Sequence, residues 1–283
     1  MQTRPVIGPI RLITGDLRRT AAFYRAGIGL EILSGDSTEP NAIQRLGKNE
    51  IEMVVLEERP GAVQPGRTTG LFHMAILLPS RKALARQLKH FIDAGVPIHG
   101  ASDHGVSEAI YLSDPDGNGI EIYSDLPREA WVFKGGQIQM GTLALDVADL
   151  LKEISDSDEP WIGMPVGTVM GHIHLRVADL ATAEAFYHDV IGMDVTARYG
   201  NAATFMSFDG YHHHLGINTW ESKGAPPAPD GSIGLKNFQI DLPSGDALAR
   251  VQSRATAKNI PTEILPHGIS LRDPSGNRLT VRN

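Results

Sequence analysis

The chain of 283 residues contains no cysteine. That absence excludes disulfides, thiolate metal sites and a cysteine nucleophile, so any metal must sit on His, Asp or Glu. Eleven histidines make such a site worth seeking. No run of about 18 apolar residues is present, so there is no candidate transmembrane helix. The first residues, MQTRPVIGPI, lack the apolar stretch of a signal peptide, and the expectation is a cytosolic protein. Positive charge is not in excess either. The net charge of −7 gives no reason to expect nucleic acid or an anionic membrane as a partner. What is there, 41% hydrophobic and 21% charged residues, describes an ordinary globular chain long enough for two domains with real cores.

The chain repeats itself. IGPIRLITGDLRRTAAFYRAGIGLEIL from Ile7 matches MGHIHLRVADLATAEAFYHDVIGMDVT from Met170. Each reads as a short strand, an Asp N-cap (Asp16, Asp179), a helix carrying Phe-Tyr, a Gly and a second strand. LFHMAILLPSRKALARQLKHFIDAGVPI from Leu71 likewise matches LKNFQIDLPSGDALARVQSRATAKNIPT from Leu235, with Ser80 and Ser244 as caps. Leu84, Leu88, Phe91 and Ile92 mark one helical face, and Gly95 suits the C-terminal stop. Both members of this second pair end in Asp-Pro-x-Gly-Asn hairpins, at Asp114 and Asp273.

The predicted architecture is therefore α+β, with four βαβββ modules at 5–59, 70–126, 169–222 and 233–283. Residues 1–126 form an N-terminal half and 169–283 a C-terminal half, joined by a linker at 127–168 that contains Pro and Gly. Mixed sheets this small cannot close alone and must pair into curved, half-open β-barrels. The repeated module resembles the vicinal oxygen chelate superfamily, which includes glyoxalases, extradiol dioxygenases and antibiotic-resistance proteins. The likeness covers nearly the whole chain outside the linker and speaks to fold more than to reaction.

A narrower likeness lies in SDHGVSEAIYLSDPDGNGIEIY, from Ser102 to Tyr123. A His, a spacer, an aliphatic residue, Tyr, Asp-Pro-x-Gly and then Glu resemble the signature of extradiol ring-cleaving dioxygenases. Asp-Pro-Asp-Gly is also good turn chemistry by itself, so a plain polar hairpin is the competing reading. The resemblance implies that Glu121 ligates iron(II), while Tyr111 and His104 touch a catechol.

The helix caps give an internal ruler. Seven residues before Asp16, Ser80, Asp179 and Ser244 stand Pro9, His73, His172 and Asn237. In the superfamily this first-strand position and one on the last strand supply metal ligands. The last-strand position aligns Glu121 with Thr280, and falls near Glu52 and His214 in the other two modules. Only the middle modules then carry competent ligands. His73, His172 and Glu121 form a two-His one-carboxylate set that leaves positions on iron(II) for a bidentate catecholate and dioxygen. Such a set requires the inner modules 2+3 to pair with each other and the outer modules 1+4 to do the same. His174, two residues past His172, faces the same side of its strand.

The run Tyr211-His212-His213-His214 is expected on the last strand of the third module, where alternation puts His212 and His214 on one face. The resemblance implies an acid–base histidine on this strand, His214 by register and His212 next. A histidine near neutral pKa suits the proton transfers of catechol binding and ring opening. Phe205, Phe208 and Trp220 are candidates for an apolar wall. The leading expectation is a non-haem iron(II) dioxygenase acting on a catechol with O2 as co-substrate, with Mn(II) as the alternative ion, in aromatic hydrocarbon catabolism. One alternative is a glyoxalase-like isomerase or lyase using His73, Glu121, His172 and His214 as four ligands. Another is a metal-free protein that binds a small aromatic or antibiotic. A homo-oligomer is compatible with the sequence.

Overall fold

The computed structural model describes residues 4–35, 41–155 and 159–283. Positions 36–40 of the predicted first module and 156–158 of the predicted linker lie outside the described residues.

The first module comprises β1 (Val6–Thr14), α1 (Leu17–Phe23), β2 (Glu31–Ser34), β3 (Ile43–Lys48) and β4 (Ile51–Glu58). The second has β5 (Gly70–Leu77), α2 (Arg81–Asp93), β6 (Gly100–Asp103), β7 (Ser107–Ser113) and β8 (Gly119–Asp125). The linker contributes the two-residue strands β9 (Phe133–Lys134), β10 (Gln137–Ile138) and β11 (Leu143–Ala144), then α3 (Val147–Leu151). In the third module come β12 (Val169–Arg176), α4 (Leu180–Phe186), β13 (Asp194–Tyr199), β14 (Ala203–Ser207) and β15 (Leu215–Asn218). The fourth closes the chain with β16 (Gly234–Asp241), α5 (Gly245–Ala257), β17 (Glu263–Leu265), β18 (Gly268–Arg272) and β19 (Arg278–Arg282).

All four predicted caps form. Side chains of Asp16, Ser80, Asp179 and Ser244 accept the backbone N–H groups of Arg19, Ala83, Thr182 and Ala247. Each satisfies a donor that the first helical turn leaves unpaired, a stabilisation of about 1 kcal/mol. In the first and third modules the helix runs on into a π-helical turn, Tyr24–Ile28 and Tyr187–Ile191. Gly29 and Gly192 end these turns at positive φ, where a side chain would be strained.

The strands form two large sheets. One has the order β17-β18-β19-β16-β1-β4-β3-β2 and unites the first and fourth modules. The other, β11-β6-β7-β8-β5-β12-β15-β14-β13, unites the second and third, as the ligand argument required. By compactness the chain also divides into two units. One takes Thr14–Pro60 and His73–Met170, the other the segment ending at Ile13 with Gly61–Phe72 and Gly171–Asn283. Among the described residues no helix is long and apolar enough to cross a membrane.

The two hairpin turns are built alike, one in each unit. Asp114 Oδ1 accepts the backbone N–H groups of Asp116 and Asn118, and Oδ2 accepts the Asn118 amide and the Tyr24 hydroxyl. Asp273 repeats the pattern with Ser275, Asn277 and Tyr187. Tyr24 and Tyr187 are fully buried. Burial lifts the pKa of both aspartates despite these donors, and lifts both tyrosines with the facing carboxylates adding to the effect.

One expected element differs. β15 begins at Leu215, so the histidine run lies in the connection before it and not on the strand. Asp209 and Gly210 both have positive φ and make a turn there, and the Thr196 hydroxyl donates to the backbone carbonyl of His212. Side-chain alternation therefore does not govern His212, His213 and His214.

Candidate metal centre

β5 and β8 are parallel neighbours, with His73 opposite Gly119 and Ala75 opposite Glu121. Glu121 is flanked by fully buried Ile120 and Ile122 and is itself only 3% exposed. A carboxylate in that setting needs a cation or strong donors, because desolvation otherwise disfavours its charge. His73 Nε2 stands 3.0 Å from Glu121 Oε2. One ligand atom from each of His73, Glu121 and His172 lies within 4.8 Å of the others, and all three residues are buried. Two imidazoles and one carboxylate converging in this way are a donor set that fits iron(II) or a similar divalent ion.

Tyr111 faces Glu121 across the β7–β8 ladder. Burial raises its pKa well above the usual phenol value, and the Glu121 charge and hydrogen bond push in the same direction. Tyr111 thus stays a neutral phenol. Its hydroxyl is 2.6 Å from His104 Nε2, and His104 Nδ1 is 2.6 Å from the Gly141 carbonyl oxygen. A carbonyl only accepts, so Nδ1 of His104 carries a proton. Gly141 belongs to the linker, whose β11 pairs Leu143 with Asp103 and Ala144 with Ser102 at the sheet edge. Sequence reasoning missed this second partner of His104. No local signal marks it, because it comes from a backbone carbonyl 37 residues away.

The structure distributes the histidine run as follows. The His213 ring lies 4.1 Å from that of His172, and the His212 ring 6.3 Å from it. His212 Nδ1 and His213 Nδ1 are 2.7 Å apart, so a single proton sits between them and the two tautomers are linked. His214 turns its ring towards Tyr211 and Phe208, at 4.9 and 5.8 Å, and its Nδ1 accepts the Phe208 backbone N–H. Of the expected apolar wall, Phe205 lies 5.0 Å from His213 and 5.7 Å from His174, and Trp220 lies 5.5 Å from His174. Phe208 packs on His214 instead. Phe72, not singled out by sequence, meets His174 and Trp220 edge-on at 5.0 and 5.1 Å.

The ladders also refine the ruler. β12 and β15 are parallel, with Ile173 opposite Leu215 and His174 opposite Gly216. Gly216, not His214, is therefore the counterpart of Glu121 in the third module. In the fourth module Gln239 faces Thr280, which confirms the alignment of Thr280 with Glu121. There the Asn237 amide donates to the Thr280 hydroxyl at 3.3 Å, where the second module has His73 beside Glu121.

A family model described as Glyoxalase/Bleomycin resistance protein/Dioxygenase superfamily matches residues 6–122 and 169–281. The chain is 42% identical over 279 residues to a catechol-2,3-dioxygenase of Bacillus subtilis (strain 168), covering 97% of this chain and 96% of that protein. It is 32% identical over 94 residues to biphenyl-2,3-diol 1,2-dioxygenase 3 of Rhodococcus globerulus, covering 31% of this chain and 50% of that one. Among solved structures, glyoxalase I of Zea mays superposes with a TM-score of 0.59 at 16% identity, covering 99% of this chain and 92% of that chain. That last likeness bears on the fold alone.

Proposed function

Since the chain belongs to the glyoxalase/bleomycin resistance protein/dioxygenase superfamily, we propose that it is an extradiol dioxygenase that opens a catechol ring beside its diol, with iron(II) held by His73, His172 and Glu121. The observation that carries this reading is the buried His-His-Glu cluster beside the hydrogen-bonded Tyr111–His104 pair. The length of the match to a catechol-2,3-dioxygenase supports it. Bound iron(II) would supply the open positions at which diol and dioxygen meet and the route for electrons between them.

The protein's residues do the rest. Tyr111, kept neutral by its surroundings, orients a substrate oxygen by hydrogen bonding. His104, fixed by the Gly141 carbonyl, holds the Tyr111 hydroxyl in place. We assign the proton transfers to His213, whose ring is the nearer of its pair to His172. With His213 Nδ1 engaged by His212, the proton moves at Nε2. On this geometry His213 takes the role that register had given to His214. Phe205 and Trp220, joined by Phe72, supply the apolar surface for the ring.

The test is anaerobic iron(II) reconstitution followed by oxygen uptake with catechol and substituted catechols. Stoichiometric iron and a yellow ring-opened product are expected, with both lost in H73A and H172A. Bound metal without turnover of any catechol would overturn the dioxygenase reading in favour of an isomerase. Failure to take up metal would overturn the centre itself.

A further inference from the structure

The second and third modules differ by an exchange of bulk at one ladder pair. In the second, small Ala75 faces Glu121. In the third, large His174 faces Gly216. A Cβ built on Gly216 would stand 2.8 Å from His174 Cγ, 2.9 Å from Cδ2 and 3.0 Å from Nδ1. The imidazole thus fills the space that a side chain at 216 would need.

His174 is not placed to act as a ligand in its own right. The Trp220 backbone N–H donates to Asn218 Oδ1, which fixes the orientation of that amide. Asn218 Nδ2 must then donate to His174 Nε2, 3.0 Å away. The Nε2 lone pair is spent, and in the neutral ring Nδ1 carries the proton, so neither nitrogen offers electrons to a metal. Ring contacts with Phe72, Phe205 and Trp220 hold the imidazole where it is.

We infer that the His174–Gly216 pair, locked by Asn218, denies the centre a fourth protein ligand and so sets it up for open-position chemistry. This rests on the metal centre proposed above. Gly216 occupies the register position of Glu121, so a carboxylate there would approach the His172 end of its own module as Glu121 approaches His73. A fourth ligand would remove a position that diol and dioxygen need.

Two measurements test it. The first is a stability cycle that involves no metal. G216A is expected to lower Tm by about 5 °C or more through overpacking, and H174A/G216A to lose less than the two single variants added together. Gly216 has an ordinary φ, so backbone strain does not confound the cycle. A G216A chain as stable as wild type would overturn the crowding. The second is cobalt(II) titration, read by visible absorption and by competition with a chelator. H174A/G216E is expected to bind cobalt about tenfold or more tighter than H174A, with an altered d–d spectrum, and G216E alone to lack this gain. Equal affinity and an unchanged spectrum in H174A/G216E, with wild type binding normally, would overturn this inference alone. A wild-type chain that binds no cobalt would overturn the metal centre and this inference with it.

Discussion

The second and fourth modules share a scaffold and differ in what they can do. Each has a Ser-capped helix and an Asp-Pro-x-Gly-Asn turn whose aspartate gathers two backbone N–H groups, an Asn amide and a Tyr hydroxyl. The ladders keep the same register, so Tyr111 facing Glu121 becomes Ser270 facing Thr280. His73 and Glu121 in one are Asn237 and Thr280 in the other, joined by a neutral hydrogen bond. The comparison separates the dioxygenase-like signature into two halves. Its Asp-Pro-x-Gly half holds the turn in both modules and therefore reports architecture. Its His, Tyr and Glu have no counterpart in the fourth module and stand in the second, which contributes His73 and Glu121 to the buried cluster; on the proposed function they are the part that carries chemistry.

The strongest way to break that comparison is to remove a ligand. E121A or H73A should abolish metal retention, measured by elemental analysis after gel filtration, and with it oxygen uptake. N237A and T280A should retain both; loss of metal in either would mean the fourth module is not inert. H213A should come next, lowering kcat by about 10²- to 10⁴-fold with metal still bound, as expected for a lost proton-transfer group. An equal loss in H214A with none in H213A would return the role to His214. Y111F should lower kcat/KM by about tenfold to a hundredfold, the worth of one hydrogen bond to a charged group, whereas S270A should leave it unchanged.

The turns should behave identically in the two modules, and here the effect is on stability. D114N and D273N each replace an acceptor by a donor opposite the tyrosine hydroxyl and the Asn amide. Each should cost about 1–3 kcal/mol, read as a drop in Tm of several degrees. A D273N chain that lost activity per folded molecule would tie the fourth module to the chemistry after all. Smallest of all, S80A and S244A should each cost about 1 kcal/mol by chemical denaturation.

Much of this was legible before any coordinates. The four caps and the two turns depend on neighbours a few residues away, and the sequence states those directly. Counting also picked out His73, His172 and Glu121, which the fold brings into one buried group of possible ligands, because strand register carries a spacing rule from one repeat to the next. Counting failed in the histidine run, where Asp209 and Gly210 turn the chain and end the alternation on which the choice of His214 rested.

What the sequence by itself determined about this protein is its repeated architecture and the residue types able to hold a metal. Both follow from local periodicity, capping and turn chemistry. Only the tertiary structure decided that His213 lies against His172, that a linker carbonyl sets the proton on His104, and that His174 fills the space beside Gly216. The physical reason is common to all three. Each depends on how a planar ring is turned and on a partner contributed by a different element, and no period or spacing along the chain encodes either.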